Sequence, residues 1–218
     1  MNKKFLQFAI FLSLFTAVAL LRNEAFVVSL DNRIYYFAQQ ISYSHYWLVF
    51  WEGVSSFGRG EFVYVLCALS GVSFFFHYRH WTAFLYLAAM TSLFFLNPAL
   101  KTLFHLDRPV SLSPFSDLVT FTFPSGHAFN SIILCYFLPH FTKHSLKEKV
   151  SHFYLSPFFM LTGVLLIGAS RIFLGAHWFS DVIGGWLHGA AVATLLLIWL
   201  EYGSKFLLFT DSFRQKNK

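Results

Sequence analysis

Six apolar runs, at residues 5–21, 61–76, 81–100, 126–141, 153–170 and 178–200, constrain this chain more than any other feature. A helix needs about 20 residues, within a range of about 17–25, to cross the hydrocarbon of a bilayer. The two shortest runs are flanked by aromatic residues that extend them to that length. Composition agrees. Of 218 residues 56% are hydrophobic and 12% charged, whereas a soluble domain carries about 25% charged residues. So few charges cannot cover so much apolar surface, and a soluble globule is disfavoured. A disordered chain, a collagen-like chain and a disulfide-stapled secreted domain are excluded. The expected fold is all-α: a polytopic membrane protein with six transmembrane helices, forming one domain over residues 1–218.

Six spans put both termini on one side, and basic residues choose which. With the N-terminus inside, ten of the sixteen Lys and Arg residues fall on the cytoplasmic side, including Lys3, Lys4, Arg79, Lys143, Lys147, Lys149 and Lys205. Arg22, Arg33, Arg59, Lys101, Arg108 and Arg171 fall outside. The expected location is the cell membrane, the inner membrane if the cell is Gram-negative, with cytoplasmic termini. Lys3, Lys4 and Ala17-Val18-Ala19 also fit a signal peptide, but the reading taken is an uncleaved first span. Residues 22–60 mix aromatic and polar positions and suggest short helices lying in the interface. Residues 110–123 read as a loop and 142–152 as a cytoplasmic connection. The net charge of +6 forms no stripe that would suit nucleic acid.

Polar groups beside apolar spans are costly, and therefore candidates for function. Three clusters stand out, all at outer span ends. Lys101 and Arg108-Pro109 close span three, Pro124-Ser125-Gly126-His127 opens span four, and Ser170-Arg171 closes span five ahead of His177 and Asp181. Lys101, Arg108 and Arg171 supply three cations, and guanidinium groups grip phosphate oxygens in pairs. Ser125 and Gly126 precede a helix whose first amides suit an anion. His177 and Asp181, four residues apart, are expected on one helix face. The carboxylate would fix the imidazole tautomer and leave the other nitrogen nucleophilic. His127 is placed to protonate a leaving oxygen. The expected reaction is attack of His177 on phosphorus, giving a phosphohistidine that water hydrolyses. The cations and the Gly126 amide would hold the equatorial oxygens. No metal and no cofactor is expected.

Together the clusters resemble the three motifs of the type 2 phosphatidic acid phosphatase (PAP2) superfamily, K-x6-R-P, P-S-G-H and S-R-x5-H-x3-D, with no departure at any motif position. The resemblance covers about residues 60–200. It implies a six-helix membrane phosphatase with His177 as nucleophile, His127 as acid and base, and Asp181 as orienter; the three cations make a metal unnecessary. Its implied partners are membrane lipids and a lipid phosphate or pyrophosphate: phosphatidic acid, phosphatidylglycerol phosphate, undecaprenyl pyrophosphate or lipid A phosphate. The alternatives are a phosphotransferase of the same family and a non-enzymatic anion carrier. A carrier has no need of a His–Asp pair beside a second His, and would bind nearer the bilayer midplane. A vanadate haloperoxidase shares the anion motifs but resembles soluble proteins.

Outside the motifs the plain structural reading is preferred. Arg22 counts as an ordinary outer charge and His188 as a hydrogen-bonded packing residue. Gly184-Gly185 are close-packing positions, and Pro109 is expected to end the helix before Arg108.

Overall fold

A computed structural model of the chain describes residues 3–42, 44–77, 95–109, 121–145 and 156–216. Helices α1 (Lys3–Leu21), α2 (Ala25–Ile41), α3 (His45–Ser56) and α4 (Gly60–His77) come first. A helical segment over 95–104 (α5) follows, then α6 (Gly126–Ser145), α7 (Pro157–Phe173) and α8 (Phe179–Lys216). Among the described residues there is no strand, as the all-α expectation requires. Within this set Lys3–Leu21 and Phe179–Trp199 are long and apolar enough to cross a membrane, and Pro157–Phe173 is a shorter apolar helix. Most of the expected span 81–100 lies outside the described residues. The first part of the expected connection at 142–152 is the end of α6.

The bundle is organised around α8, which packs on α1, α2, α6 and α7. Val63, Phe129, Ile133 and Ala193 join α4, α6 and α8 in one buried cluster. Ala38, Ala128, Ile172 and Val182 join α2, α6, α7 and α8 in a second. By contrast α1 buries only Phe15 and exposes Phe5, Leu6, Ile10, Leu12, Leu14 and Leu20. A helix apolar on every side, with most of that surface uncovered by protein, suits contact with lipid.

Two ion pairs fasten α1 antiparallel along α8. Lys4 Nζ meets Glu201 Oε2 at 2.9 Å near one end, and Arg22 Nη1 meets Asp181 Oδ1 at 2.7 Å at the other. At about 1.5 Å per residue the stretch between Lys4 and Arg22 rises about 27 Å, close to the hydrocarbon thickness of about 30 Å.

The segment 22–60 does form short helices, but α2 and α3 do more than lie in an interface. Both pack on α7, and α2 also on α8. Asp31 of α2 accepts from Ser180 N at 2.8 Å and from Ser180 Oγ at 2.6 Å, placing a carboxylate at the N-terminus of α8 where amide donors need a partner. His188 is buried between Phe15 and Phe129, with ring centroids 5.3 and 4.7 Å away. Its Nδ1 has no hydrogen-bond partner, so it packs as an aromatic ring and not as the hydrogen-bonded residue expected.

Candidate active site

The first cluster is shaped by the end of α5. His105 has φ 48°, the left-handed conformation that ends helices, and its N–H donates to the Lys101 carbonyl at 3.2 Å. Helix termination therefore falls at His105 and not at Pro109, as the sequence had suggested. Lys101 remains in the last helical turn while Arg108 follows in irregular chain. Both cations turn to one carbonyl: Lys101 Nζ donates to Phe121 O at 2.9 Å and Arg108 Nη2 to the same oxygen at 3.2 Å.

The second cluster is an irregular run, 121–125, with a cis Phe123–Pro124 bond, leading into α6 at Gly126. Thr122 N donates to Leu106 O at 2.8 Å and Ser125 N to Asp181 O at 3.0 Å, tying the run to both other clusters. The approach to α8 is tight. A Cβ at Gly185 would stand 2.4 Å from the Ser125 carbonyl oxygen, so only glycine fits there. The close-packing expectation for Gly184-Gly185 holds. Ser125 is fully buried and its Oγ has no hydrogen-bond partner. His127 sits in the first turn of α6 beside Gly58, where a Cβ would be 3.1 Å from its ring. Arg171, His177, Lys101 and Arg59 are the charged or titratable groups that act on it.

The third cluster owes its spacing to a helix C-cap. After α7, Gly175 adopts φ 67°. Its N–H donates to Ile172 O at 2.9 Å and that of Ala176 to Arg171 O at 2.9 Å, the paired bonds of a Schellman motif. His177 N also donates to Arg171 O, at 3.1 Å. The five residues between Arg171 and His177 are thus the length of this turn, and one capped helix end delivers both side chains. Arg171 Nη1 donates to Ser55 Oγ of α3, and its Nε is buried without a partner.

His177 and Asp181 meet, but not across a helix face. His177 lies in the turn before α8, and Asp181 is the third residue of the helix. Its Oδ2 reaches back to accept the Trp178 N–H at 2.9 Å, half of a capping box. The same oxygen lies 3.4 Å from His177 Nδ1 and accepts from Thr122 Oγ1. Thr122 Oγ1 is itself 3.2 Å from Nδ1. On the opposite edge of the ring, Arg108 Nη1 stands 3.3 Å from Nε2 and also donates to Ala176 O at 2.9 Å. A guanidinium has donors only, so Nε2 accepts and the ring proton belongs on Nδ1. His177 is almost wholly buried. Burial, and then the charges of Lys101, Arg108 and Arg171, hold its pKa well below the usual imidazole value. Burial likewise lowers Arg108, with Asp181 opposing.

The residues singled out in the sequence therefore converge at one end of the bundle. Among the described residues, no group of three or more His, Cys, Asp or Glu side chains is arranged to hold a metal ion. Three partners were not singled out. Arg22 binds Asp181 Oδ1, Thr122 binds Asp181 Oδ2, and Ser55 binds Arg171. Thr122 adjoins the second motif, and that proximity is a signal. Ser55 and Arg22 carry none that short spacings reveal.

A helical bundle that gathers these three motifs around one buried imidazole defines a class of protein. The sequence model of the PAP2 superfamily matches residues 82–205, more than half of the chain, and the chain belongs to that superfamily. It is 32% identical over 174 residues to phosphatidylglycerophosphatase B of Bacillus subtilis (strain 168), spanning 75% of this chain and 77% of that protein. Its fold is similar to the crystal structure of a transmembrane PAP2-type phosphatidylglycerolphosphate phosphatase from Bacillus subtilis. That match has a TM-score of 0.78 at 25% identity and covers 90% of this chain and 96% of the other. The chain is accordingly a membrane protein.

Proposed function

We propose that the chain is a metal-independent lipid phosphate phosphatase that works through a phosphohistidine on His177. The observation that carries this reading is the setting of the imidazole. Its Nδ1 edge faces Asp181 and Thr122, and its Nε2 edge faces Arg108. The Nε2 lone pair attacks phosphorus in line, forming the P–N bond as the bond to the leaving oxygen breaks. His127, protonated at that moment, gives its proton to that oxygen. Water then attacks the phosphohistidine and passes a proton to His127. The P–N bond breaks, leaving inorganic phosphate and neutral His177.

Lys101, Arg108, Arg171 and the Ser125–Gly126 helix start hold the equatorial oxygens. Ser125 Oγ and Arg171 Nε, both buried and without partners, are donors an anion can satisfy. The cations carry the charge-neutralising role that Mg²⁺ has in many phosphoryl transfers.

The substrate is a lipid phosphate monoester or pyrophosphate, with phosphatidylglycerol phosphate first because both relatives are phosphatases of that lipid. The chain crosses the membrane six times, with both termini cytoplasmic and the site outside. The basic-residue bias supports this, as does the gathering of Arg22 with the catalytic residues at the end of α1 remote from Lys4.

The test is phosphate release from phosphatidylglycerol phosphate, phosphatidic acid and undecaprenyl pyrophosphate by purified protein. His177→Ala should abolish release and eliminate the acid-labile, base-stable phosphoprotein formed from labelled substrate. Activity retained by that variant would refute the nucleophile, and strong inhibition by EDTA would refute metal independence.

A further inference from the structure

We propose that Arg22, at the end of α1, is a positioning residue for the reaction: it fixes the Asp181 carboxylate through which His177 is oriented. The proposal rests on the reading of His177 as nucleophile.

The Asp181 carboxylate is held from two sides. Oδ2 takes the Thr122 hydroxyl, the Trp178 amide and the neighbouring His177 Nδ1. Oδ1 takes Arg22 Nη1 at 2.7 Å. An oxygen fixed on each side prevents rotation of the group about its Cβ–Cγ bond, so Oδ2 stays opposite Nδ1. The charges facing Asp181 are Arg22 from α1, Asp31 from α2, Lys101 from α5, and Arg108 from the chain that follows α5. His177 faces it from the turn before α8. Of these cations, Arg22 is the one hydrogen-bonded to the carboxylate among the described residues. Both partners are hidden, with 6% of the Arg22 side chain and none of the Asp181 side chain exposed. A headgroup anchor at a helix end would expose its guanidinium, and this one does not.

Arg22 is held in turn by its own helix. Its N–H donates to Val18 O at 3.0 Å, and its guanidinium lies 4.8 Å from the centroid of the Phe123 ring, a cation–π contact. Phe123 stacks on Phe15, two turns earlier on α1, at 5.7 Å. Thus α1 supplies both the cation and the support beneath it.

An unpaired buried carboxylate is costly and is readily discharged by a proton. Once protonated, it no longer accepts from Nδ1, and His177 loses its productive tautomer. If it instead stays charged without Arg22, it draws a proton onto the imidazole. Both effects remove the nucleophile as pH falls.

The experiment uses the full-length protein in detergent, with phosphatidylglycerol phosphate as substrate and H177A as control. R22Q should lower kcat about 100-fold with KM little changed, because Lys101, Arg108 and Arg171 remain. The acidic limb of its kcat/KM profile should move up by about one pH unit or more. R22K, which keeps the charge but not the planar fork, should recover part of the rate and return the limb towards its original position. A wild-type kcat and limb in R22Q would overturn the proposal, as would equal losses in R22Q and R22K with an unmoved limb. If R22Q fails to accumulate, the R22K profile decides, and a wild-type limb there overturns it. Phosphate release by H177A would refute the nucleophile reading whatever Arg22 does. An inactive H177A with a normal R22Q would refute the Arg22 proposal alone.

Discussion

The two edges of the His177 ring are built differently. At Nδ1 there is a polar network of Asp181, Thr122, the Trp178 amide and Arg22, every partner supplied by the protein, with Asp181, Thr122 and Arg22 buried. At Nε2 there is a gathering of positive charge, with Arg108 at 3.3 Å and Lys101 sharing with it the Phe121 carbonyl. Like charges brought together in a low-dielectric site are unfavourable unless an anion joins them. One edge is held by protein groups alone, and the other becomes favourable when a phosphate arrives. The protein spends stability at Nε2 and recovers rigidity at Nδ1, so orientation precedes binding.

The largest loss is expected from Asp181→Asn. It preserves shape but donates where the native group accepts, so it favours the wrong tautomer. The rate should fall about 10⁴-fold while the protein stays folded. A loss below tenfold would mean that the Nδ1 edge does not orient the ring.

On the other edge, Arg108→Ala removes one donor from the transition state and should cost about 10²–10³ in kcat. If it raised KM alone, Arg108 would bind the phosphate without stabilising its transfer.

Thr122→Val tests the network at a smaller scale. It leaves Asp181 with the Trp178 amide and Arg22, and about a tenfold loss is expected, with Thr122→Ser close to wild type. Equal losses in both would place the effect in packing and not in the hydroxyl.

The pH profile comes last in size. As the proposed nucleophile His177 must be neutral, and burial with nearby cations holds its pKa below the usual value of 6.5. As pH falls, protonation of His177 should therefore begin to limit kcat/KM only below 6.5. A limb above 7 would show that Asp181 outweighs the cations.

Much of the Nε2 edge could be read from the sequence, because its cations and helix start belong to short motifs with fixed spacing. The geometry behind that spacing could not. The separation of Arg171 and His177 comes from a helix cap at Gly175, and the end of α5 from a left-handed His105, a residue type with only a weak tendency to stop helices. The pairing of His177 with Asp181 was anticipated correctly for a different reason, since the carboxylate caps α8 and the imidazole lies outside it. The Nδ1 edge was read least well. Arg22 stands 159 residues from Asp181, and sorting charges by membrane side put it among the ordinary outer residues. Such long-range pairs depend on helix packing that apolar runs do not specify. The same holds for the packing of α2 on α7 and α8 and of α3 on α7, which the mixture of aromatic and polar positions did not reveal.

The antiparallel clasp between α1 and α8 also has a consequence for how the molecule is made. Arg22 leaves the ribosome 159 residues ahead of its carboxylate partner. Contacts so distant in sequence form late. Until α8 packs on α1, the growing chain lacks the Asp181 carboxylate in place, and Arg22 waits without it. The network at Nδ1 is thus closed only once α8 has been made, and a product cut short before Asp181 would lack it.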